Sequence, residues 1–280
     1  MYELTRRSKE ICIMTELPAF DSIRLEIVEP RVALLTLNRP EKRNAFDTAM
    51  RDEIGAALAH VRADRDIGAL IVTGAGNTFC AGGDISEMKA GVPSAEAGRQ
   101  RLMDLLPTAM ALFTMEIPVI SAVDGFAYGA GFNLALAADF ILATPEARFC
   151  QSFARVGLVP DFGGFYILPR IVGFAKAREL ILTAREIDAD EALKLDIVYK
   201  IVPRAELLAA AREIANRLKA ASPVAMAQCK RLLRTTFQQD LQTILESEAA
   251  AQGICLVSDY HKEAVSDFLE RRPRKFTWDA

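Results

Sequence analysis

Residues 118–139 read PVISAVDGFAYGAGFNLALAAD and join two apolar runs through a turn of small residues. The run Pro118–Val123 predicts a buried strand, and the run Phe132–Ala138 predicts a buried helix. Between the two runs, residues 129–131 are Gly-Ala-Gly, so the backbone can approach another backbone or a ligand closely. A strand that turns through glycines into a helix aims unpaired N–H groups at one point. That point suits an oxyanion or a phosphate.

A second segment of the chain repeats this arrangement. The apolar run Ala69–Thr73 predicts a strand, and the loop that follows, residues 74–85, reads GAGNTFCAGGDI. Two loops of this kind can present N–H groups to one carbonyl oxygen, and each well-placed donor is worth roughly 100- to 1,000-fold in rate. Tight turns without any ligand explain both loops equally well at this point.

The composition indicates a globular protein with 280 residues, 51% of them hydrophobic, and a net charge of -3. This balance gives no general basic field, so neither nucleic acid nor an anionic membrane is an expected partner. The five cysteines are scattered without C-x-x-C spacing, which predicts neither disulfides nor a metal site and favours a reducing cytoplasm. No apolar run reaches the roughly 18 residues of a membrane span. Residues 1–20 are expected to form a poorly ordered leader.

The order of predicted elements is that of an α/β protein with parallel strands. The predicted strands are Ile23–Val28 and Val32–Leu37 as a hairpin, then 67–73, 118–123, 140–143, 148–150 and 197–202; the predicted helices include one through Met50 and Val61, one at 102–115, and others that begin near 207, 222 and 241. We therefore expect a core over residues 21–204 and a helical region over residues 205–280.

Several familiar glycine-rich sites do not match the two loops. Gly74 and Gly76 follow a strand, but Phe79 stands where a dinucleotide-binding loop needs its third glycine. A Walker lysine and a G-x-S-x-G elbow are both absent from the sequence. Asp84 begins the sequence Asp-Ile-Ser-Glu, which favours a helix-capping role for Asp84 over a catalytic role. Asp139 is also expected to have a structural role.

Four segments, in this order, resemble motifs of the crotonase (enoyl-CoA hydratase/isomerase) superfamily. They are NRPEKRNA at 38–45, TGAGNTFCAGGDI at 73–85, DGFAYGAGFNLALAAD at 124–139 and GLVPDFGG at 157–164. The resemblance implies an α/β fold, the ClpP-like spiral of ββα turns with a C-terminal helical trimerisation region, and hence a homotrimer or a dimer of trimers. It also implies an acyl-CoA substrate, no metal or redox cofactor, and a thioester oxygen held between the backbone N–H groups of Ala81 and Ala130.

The resemblance further implies where the substrate binds. Arg39, Lys42 and Arg43 either face the CoA phosphates or form a solvated charged turn, and the resemblance assigns the loop around Arg43 and Ala45 to CoA. Phe276 matches an aromatic residue that reaches the CoA of an adjacent subunit. The remaining implied contact positions are Ala81, Gly82, Gly83, Asp84, Ile85, Asn133 and Phe153.

The chain departs from the hydratase pattern at two positions. Enoyl-CoA hydratases of this family carry glutamates where this chain has Asn133 and Phe153. Adding water to a double bond requires a base for the water and an acid for C2, and neither an amide nor a phenyl ring can move a proton. Efficient hydration by the usual glutamate pair is therefore not expected.

One carboxylate remains on the third glycine-rich loop, that of Asp161. From the sequence alone, an Asx-turn residue that bonds the N–H groups of its own loop explains it. The resemblance to ring-epoxide isomerases and Δ3,Δ2-enoyl-CoA isomerases instead implies that Asp161 acts as the catalytic acid and base. We expect Phe132, Phe153 and Phe162 to desolvate this carboxylate and raise its pKa toward neutrality.

These residues predict an enoyl-CoA isomerase that moves a double bond with a single aspartate. One alternative is a 2-enoyl-CoA hydratase of fatty-acid or aromatic-acid degradation. A second, from a different class, is a non-catalytic scaffold that binds acyl-CoA without turning it over, since both standard glutamates are missing.

Overall fold

The computed structural model describes residues 17–89 and 91–278 of the chain. The strands in these residues are β1 (Ile23–Glu29), β2 (Val32–Leu37), β3 (Ala69–Gly74), β4 (Val119–Val123), β5 (Phe126–Tyr128), β6 (Phe140–Ala143), β7 (Arg148–Cys150), β8 (Glu186–Asp188) and β9 (Lys200–Ile201). The helices are α1 (Thr48–Ala63), α2 (Ile85–Met88), α3 (Ala95–Met103), α4 (Leu106–Phe113), α5 (Ala130–Leu136), α6 (Gly164–Val172), α7 (Phe174–Thr183), α8 (Ala189–Lys194), α9 (Leu207–Leu218), α10 (Pro223–Thr235), α11 (Leu241–Leu256) and α12 (Asp259–Leu269).

The strands of the described residues form two sheets. The larger sheet has the order β1-β2-β3-β4-β6-β9, and the smaller has the order β5-β7-β8. The predicted hairpin is confirmed, because β1 and β2 pair antiparallel with Leu25 opposite Leu35. From β2 to β9 each neighbouring pair of the larger sheet is parallel. Strands β2, β3 and β4 are buried on both faces, which explains why their sequences are continuous apolar runs.

Successive units of the chain divide their strands between the two sheets. In the unit β4-β5-α5 the first strand joins the larger sheet and the second joins the smaller one, and β6-β7-α6 does the same. This is the ββα spiral expected from the sequence. Strands β5 and β8, of three residues each, were not predicted from the sequence.

Two apolar clusters lie on opposite faces of the larger sheet, since residues along β2 alternate between them. Leu35 belongs to the cluster that includes the buried face of α1, whereas Leu34 belongs to the cluster that includes Ala211 and Leu218 of α9. The packed core therefore continues through Leu218, beyond the boundary expected at residue 204.

Two other predictions need adjustment. Residues 1–16 of the expected leader lie outside the described residues, but Leu17 and Phe20 pack against the core. The single helix predicted at 102–115 is divided into α3 and α4. Pro107 lies in the first turn of α4, where its missing N–H is tolerated, whereas it would interrupt the interior of a longer helix.

The helices after α9 expose large apolar side chains. Phe237, Leu241, Val257 and Phe268 are each at least 70% exposed in the single chain. Exposed apolar area on this scale is typical of surfaces that bind another protein. The expected trimerisation through this region remains a prediction. No helix of residues 17–89 and 91–278 is long and apolar enough to cross a membrane.

Candidate active site

The turn between β5 and α5 presents a free backbone donor. Gly129 has a φ of 52°, a conformation that side chains disfavour, and its own N–H donates to Cys150 O at 2.9 Å. Ala130 is the first residue of α5, so its N–H has no acceptor within the helix. Within the described residues we find no other acceptor for it.

The loop before α2 lies directly beside this turn. Cys80 pairs with Ala127 in an isolated parallel bridge, which fixes the loop against β5. Gly82 has a φ of 96°, and a Cβ atom added to it would lie 2.9 Å from Tyr128 O and 3.9 Å from Ala130 N. The convergence of the two glycine-rich loops is therefore confirmed, and it requires glycine at residue 82.

The donor on this first loop is not the residue that the sequence analysis named. The N–H of Ala81 donates to Arg43 O at 3.0 Å, so it is already satisfied within the chain. Gly82 O accepts from Phe46 N at 2.7 Å, and in a trans peptide the next N–H points the opposite way. The N–H of Gly83 therefore points away from Phe46. No acceptor for it occurs in the part of the chain that the structure describes.

Arg39 links the elements beneath this loop rather than offering a free cation. Its guanidinium pairs with Asp47 at 2.9 Å and Asp84 at 3.2 Å, and it donates to Ala45 O at 2.7 Å. Of the two alternatives left open for Arg39, phosphate contact and a solvated turn, neither describes it, because its charged partners Asp47 and Asp84 belong to the protein. The expected cap is confirmed: Asp84 accepts from Ser86 N at the start of α2.

Asp161 lies at the start of a tight turn. Gly164 N donates to Asp161 O at 2.9 Å, and the two residues between them, Phe162 and Gly163, have φ values of 47° and 82°. A phenylalanine with positive φ is strained by about 1–3 kcal/mol, which is typical of functional segments. The side-chain Oδ1 of Asp161 is shielded from solvent and has no hydrogen-bond partner among the described residues, so the Asx-turn interpretation fails for this oxygen.

The environment of Asp161 favours its protonated form. Burial raises the pKa of Asp161 to about 6, against an ordinary value of 3.8, and the nearby Arg51 acts in the opposite direction. The direction matches the expectation from the sequence. A carboxyl group with this pKa can both take and return a proton near neutral pH.

Arg51, on α1, was missed by the sequence analysis. It is held by Asp47 O at 3.1 Å, Thr48 Oγ1 at 2.8 Å and Glu87 at 3.5 Å. Its sequence position gives no signal, because an arginine on the polar side of an amphipathic helix is usually solvated. Arg51 also lines a cavity of about 350 Å³ whose other walls are mostly charged or polar: Thr48, Asp52, Glu87, Gly91, Arg101, Asp104 and Leu105.

Comparison with known proteins places this geometry in context. The family model described as "Enoyl-CoA hydratase/isomerase" matches residues 28–279. The chain belongs to the enoyl-CoA hydratase/isomerase family. It is 38% identical over 245 residues to a short-chain-enoyl-CoA hydratase of Clostridium acetobutylicum, covering 87% of this chain and 93% of the relative. It is also 34% identical over 255 residues to the 1,2-epoxyphenylacetyl-CoA isomerase of Escherichia coli K12, covering 90% and 97%.

Solved structures show the same fold. The crystal structure of an enoyl-CoA hydratase/isomerase from Cupriavidus metallidurans CH34 superimposes with a TM-score of 0.88 at 36% identity, covering 92% of this chain and 97% of that one. The two sheets and the helical C-terminal region described above are thus the crotonase fold. Both the recognition of the family and the fold class inferred from the sequence are confirmed.

Asn133 and Phe153, the two positions where the resemblance implies glutamates in hydratases, are both buried. Asn133 is completely buried on α5; its Nδ2 donates to Asp161 O at 2.8 Å, and its Oδ1 accepts from Gln151 Nε2 at 2.7 Å. Phe153 is 7% exposed, and a Cβ atom on Gly129 would lie 3.6 Å from its ring. Both residues therefore lie at the site but bring no ionisable group to it. Gln151 was missed because only the fold brings it to Asn133.

The other expected substrate contacts have varied surroundings. Arg43 is exposed, with its guanidinium 5.9 Å from the centre of the Phe126 ring. Ile85 is also exposed, Ala45 is buried, and Phe276 is half-buried. Their contacts with CoA remain predictions. In residues 17–89 and 91–278 no group of three or more His, Cys, Asp or Glu side chains could hold a metal ion.

Proposed function

We propose that this protein is an enoyl-CoA isomerase in which Asp161 moves a proton between C2 and C4 of a 3-enoyl-CoA. The observation that carries the proposal is a carboxyl group with a raised pKa and a solvent-shielded Oδ1, on the loop that is bonded to the helix Ala130 begins. In this proposal Gly83 replaces Ala81 as the second donor, since the N–H of Ala81 is already bonded.

The reaction divides into two proton transfers. The carboxylate of Asp161 removes a proton from C2, and the electrons move onto the thioester oxygen to form a dienolate. The N–H groups of Gly83 and Ala130 stabilise that oxyanion, each contributing roughly 100- to 1,000-fold in rate. Asp161, now protonated, returns the proton to C4, and the double bond is left between C2 and C3. One residue that both accepts and donates a proton suffices.

Hydration is the second candidate, and it is supported by the name of the Clostridium acetobutylicum relative, which is 38% identical. Hydration requires proton transfer at two places, and the positions that would supply the second group are Asn133 and Phe153. A hydratase of this sequence would have to activate water with Asp161 alone. A non-catalytic acyl-CoA-binding scaffold is a third candidate, and it predicts binding without turnover.

NMR of 3-hexenoyl-CoA incubated with the enzyme in D2O distinguishes these candidates. An isomerase moves the double bond to the 2-position, and deuterium enters C4 only to the extent that protonated Asp161 exchanges with D2O before it returns the proton. Asp161→Asn abolishes the migration. Glu146→Gln, which removes an exposed carboxylate on the turn between β6 and β7, is the control and keeps full activity. Formation of 3-hydroxyhexanoyl-CoA from 2-hexenoyl-CoA at a higher rate would support the hydratase instead. Binding with neither reaction would support the scaffold.

The remaining expectations complete the proposal. We propose a homotrimer or dimer of trimers, built through the apolar surfaces of α10–α12, located in the cytoplasm and acting without a metal or redox cofactor. Phe276 of the tail would contact the CoA of an adjacent subunit. Sedimentation velocity tests the assembly, because a species of 30.7 kDa would contradict it.

A further inference from the structure

The carbonyl of Asp161 is bonded from two sides. It accepts from Gly164 N within its own turn at 2.9 Å and from Asn133 Nδ2 at 2.8 Å. These two bonds use both lone pairs of the carbonyl oxygen. The first bond is local to the loop, whereas the second ties the loop to α5, the helix whose first N–H is the oxyanion donor of Ala130.

The orientation of the Asn133 amide is fixed by its partners. Since Asp161 O can only accept, the NH2 group of Asn133 must face it, and Asn133 Oδ1 then faces Gln151 Nε2 at 2.7 Å. Both side chains are at most 1% exposed. Gln151 Oε1 at the far end is buried without a partner in the described part of the chain. Gln151 thus donates to Asn133, and Asn133 donates to the backbone carbonyl of Asp161, so two buried amides are hydrogen-bonded in series.

The turn packs closely against the Asn133 amide. A Cβ atom added to Gly164 would lie 2.5 Å from Asn133 Nδ2 and 2.7 Å from Asn133 Oδ1. Glycine at residue 164 therefore lets the turn approach the amide. The strained φ of Phe162 lies in the same turn, and a fixed anchor on each side of such a residue is what allows the strain to persist.

We infer that Asn133 is a positioning residue, which holds the Asp161 turn at a fixed distance from the Ala130 oxyanion donor. Asn133 follows Ala130 by three residues, so the two lie on neighbouring turns of one helix face. At the position where hydratases of the family use a proton-transferring glutamate, this chain uses an amide to place another residue's carboxyl group. The inference rests on the proposed function for its catalytic consequence, but its geometric content can be tested without turnover.

The experiment compares Asn133→Asp and Asn133→Ala with the wild type. Asn133→Asp keeps the shape but replaces the NH2 donor with an oxygen, and Asn133→Ala removes both hydrogen bonds. With 3-hexenoyl-CoA we expect kcat to fall about ten- to hundredfold in each, because small displacements of a catalytic group cost rates of this order, while KM changes less than about threefold. Thr144→Val is the control, since it removes a different buried hydrogen bond, from Thr144 Oγ1 to Asp124.

A second measurement follows the carboxyl group directly. The 13Cγ signal of Asp161, assigned by its loss in Asp161→Asn, is titrated in the full-length wild type and in each variant. Release of the turn exposes the carboxyl group, so its midpoint falls from about 6 toward the ordinary 3.8 in Asn133→Ala. In Asn133→Asp the new carboxylate acts in the opposite direction, so that variant is judged by kcat alone. Arg51 on α1, the charged neighbour that lowers this pKa, is unchanged in all of them. Thr144→Val titrates like the wild type.

The outcomes separate the two claims. If Asn133→Ala retains the wild-type kcat and the wild-type titration, the positioning role is wrong. If the wild type lacks isomerase activity but the Asp161 midpoint falls in Asn133→Ala, the proposed function fails and the positioning role stands. If Thr144→Val lowers kcat and the midpoint as much as the Asn133 variants do, general loss of stability explains the result and the inference is overturned.

Discussion

Replacing Asp161 with asparagine is expected to stabilise the folded protein at neutral pH while abolishing isomerisation. The side chain changes little in shape but can no longer become charged. In the wild type, burial raises the pKa of Asp161 from 3.8 to about 6, so the folded protein resists ionisation of a group that ionises freely in the unfolded chain. Each pKa unit corresponds to about 1.4 kcal/mol, so the difference corresponds to about 3 kcal/mol.

The sign of the pH dependence follows from which state binds the proton. Below pH 3.8 the carboxyl group is protonated in both states and contributes no difference. As the pH rises, the unfolded chain loses this proton first, so the wild type loses stability until the pH passes about 6. Asp161→Asn escapes this loss. Its advantage in free energy of unfolding is therefore about 1 kcal/mol at pH 4.5 and about 3 kcal/mol at pH 8.

Thermal unfolding at matched protein concentration measures this advantage, using circular dichroism at 222 nm at several pH values between 4.5 and 8. The fluorescence of Trp278, the single tryptophan, reports on the C-terminal tail in the same samples. Glu146→Gln provides the matched exposed control and is expected to show no such dependence. Any pH-independent effect of the new amide shifts the difference in unfolding free energy by the same amount at every pH. The test is therefore how this difference changes with pH. A difference that stays constant from pH 4.5 to 8 would refute a raised pKa at Asp161.

Three other substitutions test separate parts of the structure. Arg51→Gln removes the cation that lowers the pKa of Asp161, so the acidic limb of the pH profile of kcat/KM moves above about 6; an unmoved limb would show that the two do not interact. Gly82→Ala places a side chain at a φ of 96° against the neighbouring turn, so we expect a loss of about 1–3 kcal/mol in urea unfolding and a lower kcat; unchanged values would contradict the close approach of the loops. Lys230→Met breaks the ion pair between the largely buried Lys230 and the more exposed Asp139, which joins α10 to the core; we expect a loss of about 1 kcal/mol, whereas a gain would show that desolvation dominates.

The sequence predicted those features of the site that depend on local pattern. Glycines at residues 82 and 129 mark backbone conformations that other residues avoid, and their positions beside apolar runs locate both loops. The parallel strands were evident because strands buried on both faces are continuous apolar runs. The capping role of Asp84 is likewise a matter of residues that are adjacent in sequence.

The features that the sequence could not give depend on partners far apart in the chain. Ala81 and Gly83 are both plausible donors by sequence, and only the contact of Ala81 with Arg43 O, 38 positions earlier, separates them. By sequence, Arg39 could bind a phosphate. In the structure, Asp47 and Asp84 pair with its guanidinium instead. In each case the group itself gives no signal in the sequence. Whether it can bind a substrate depends on whether a distant residue already accepts its hydrogen bond.

The departures of this chain from the hydratase pattern are physically linked. The side chain of residue 133 packs against the turn at Gly164, where an added Cβ atom would lie 2.5 Å from Asn133 Nδ2, so a longer side chain at residue 133 would have to displace this turn. A glutamate there would also replace the donor to Asp161 O with a carboxylate, which would repel that carbonyl oxygen. The amide at residue 133 and the turn that carries Asp161 are therefore coupled through one hydrogen bond. In the one-carboxylate site that we propose, a change at residue 133 would alter the placement of Asp161 as well.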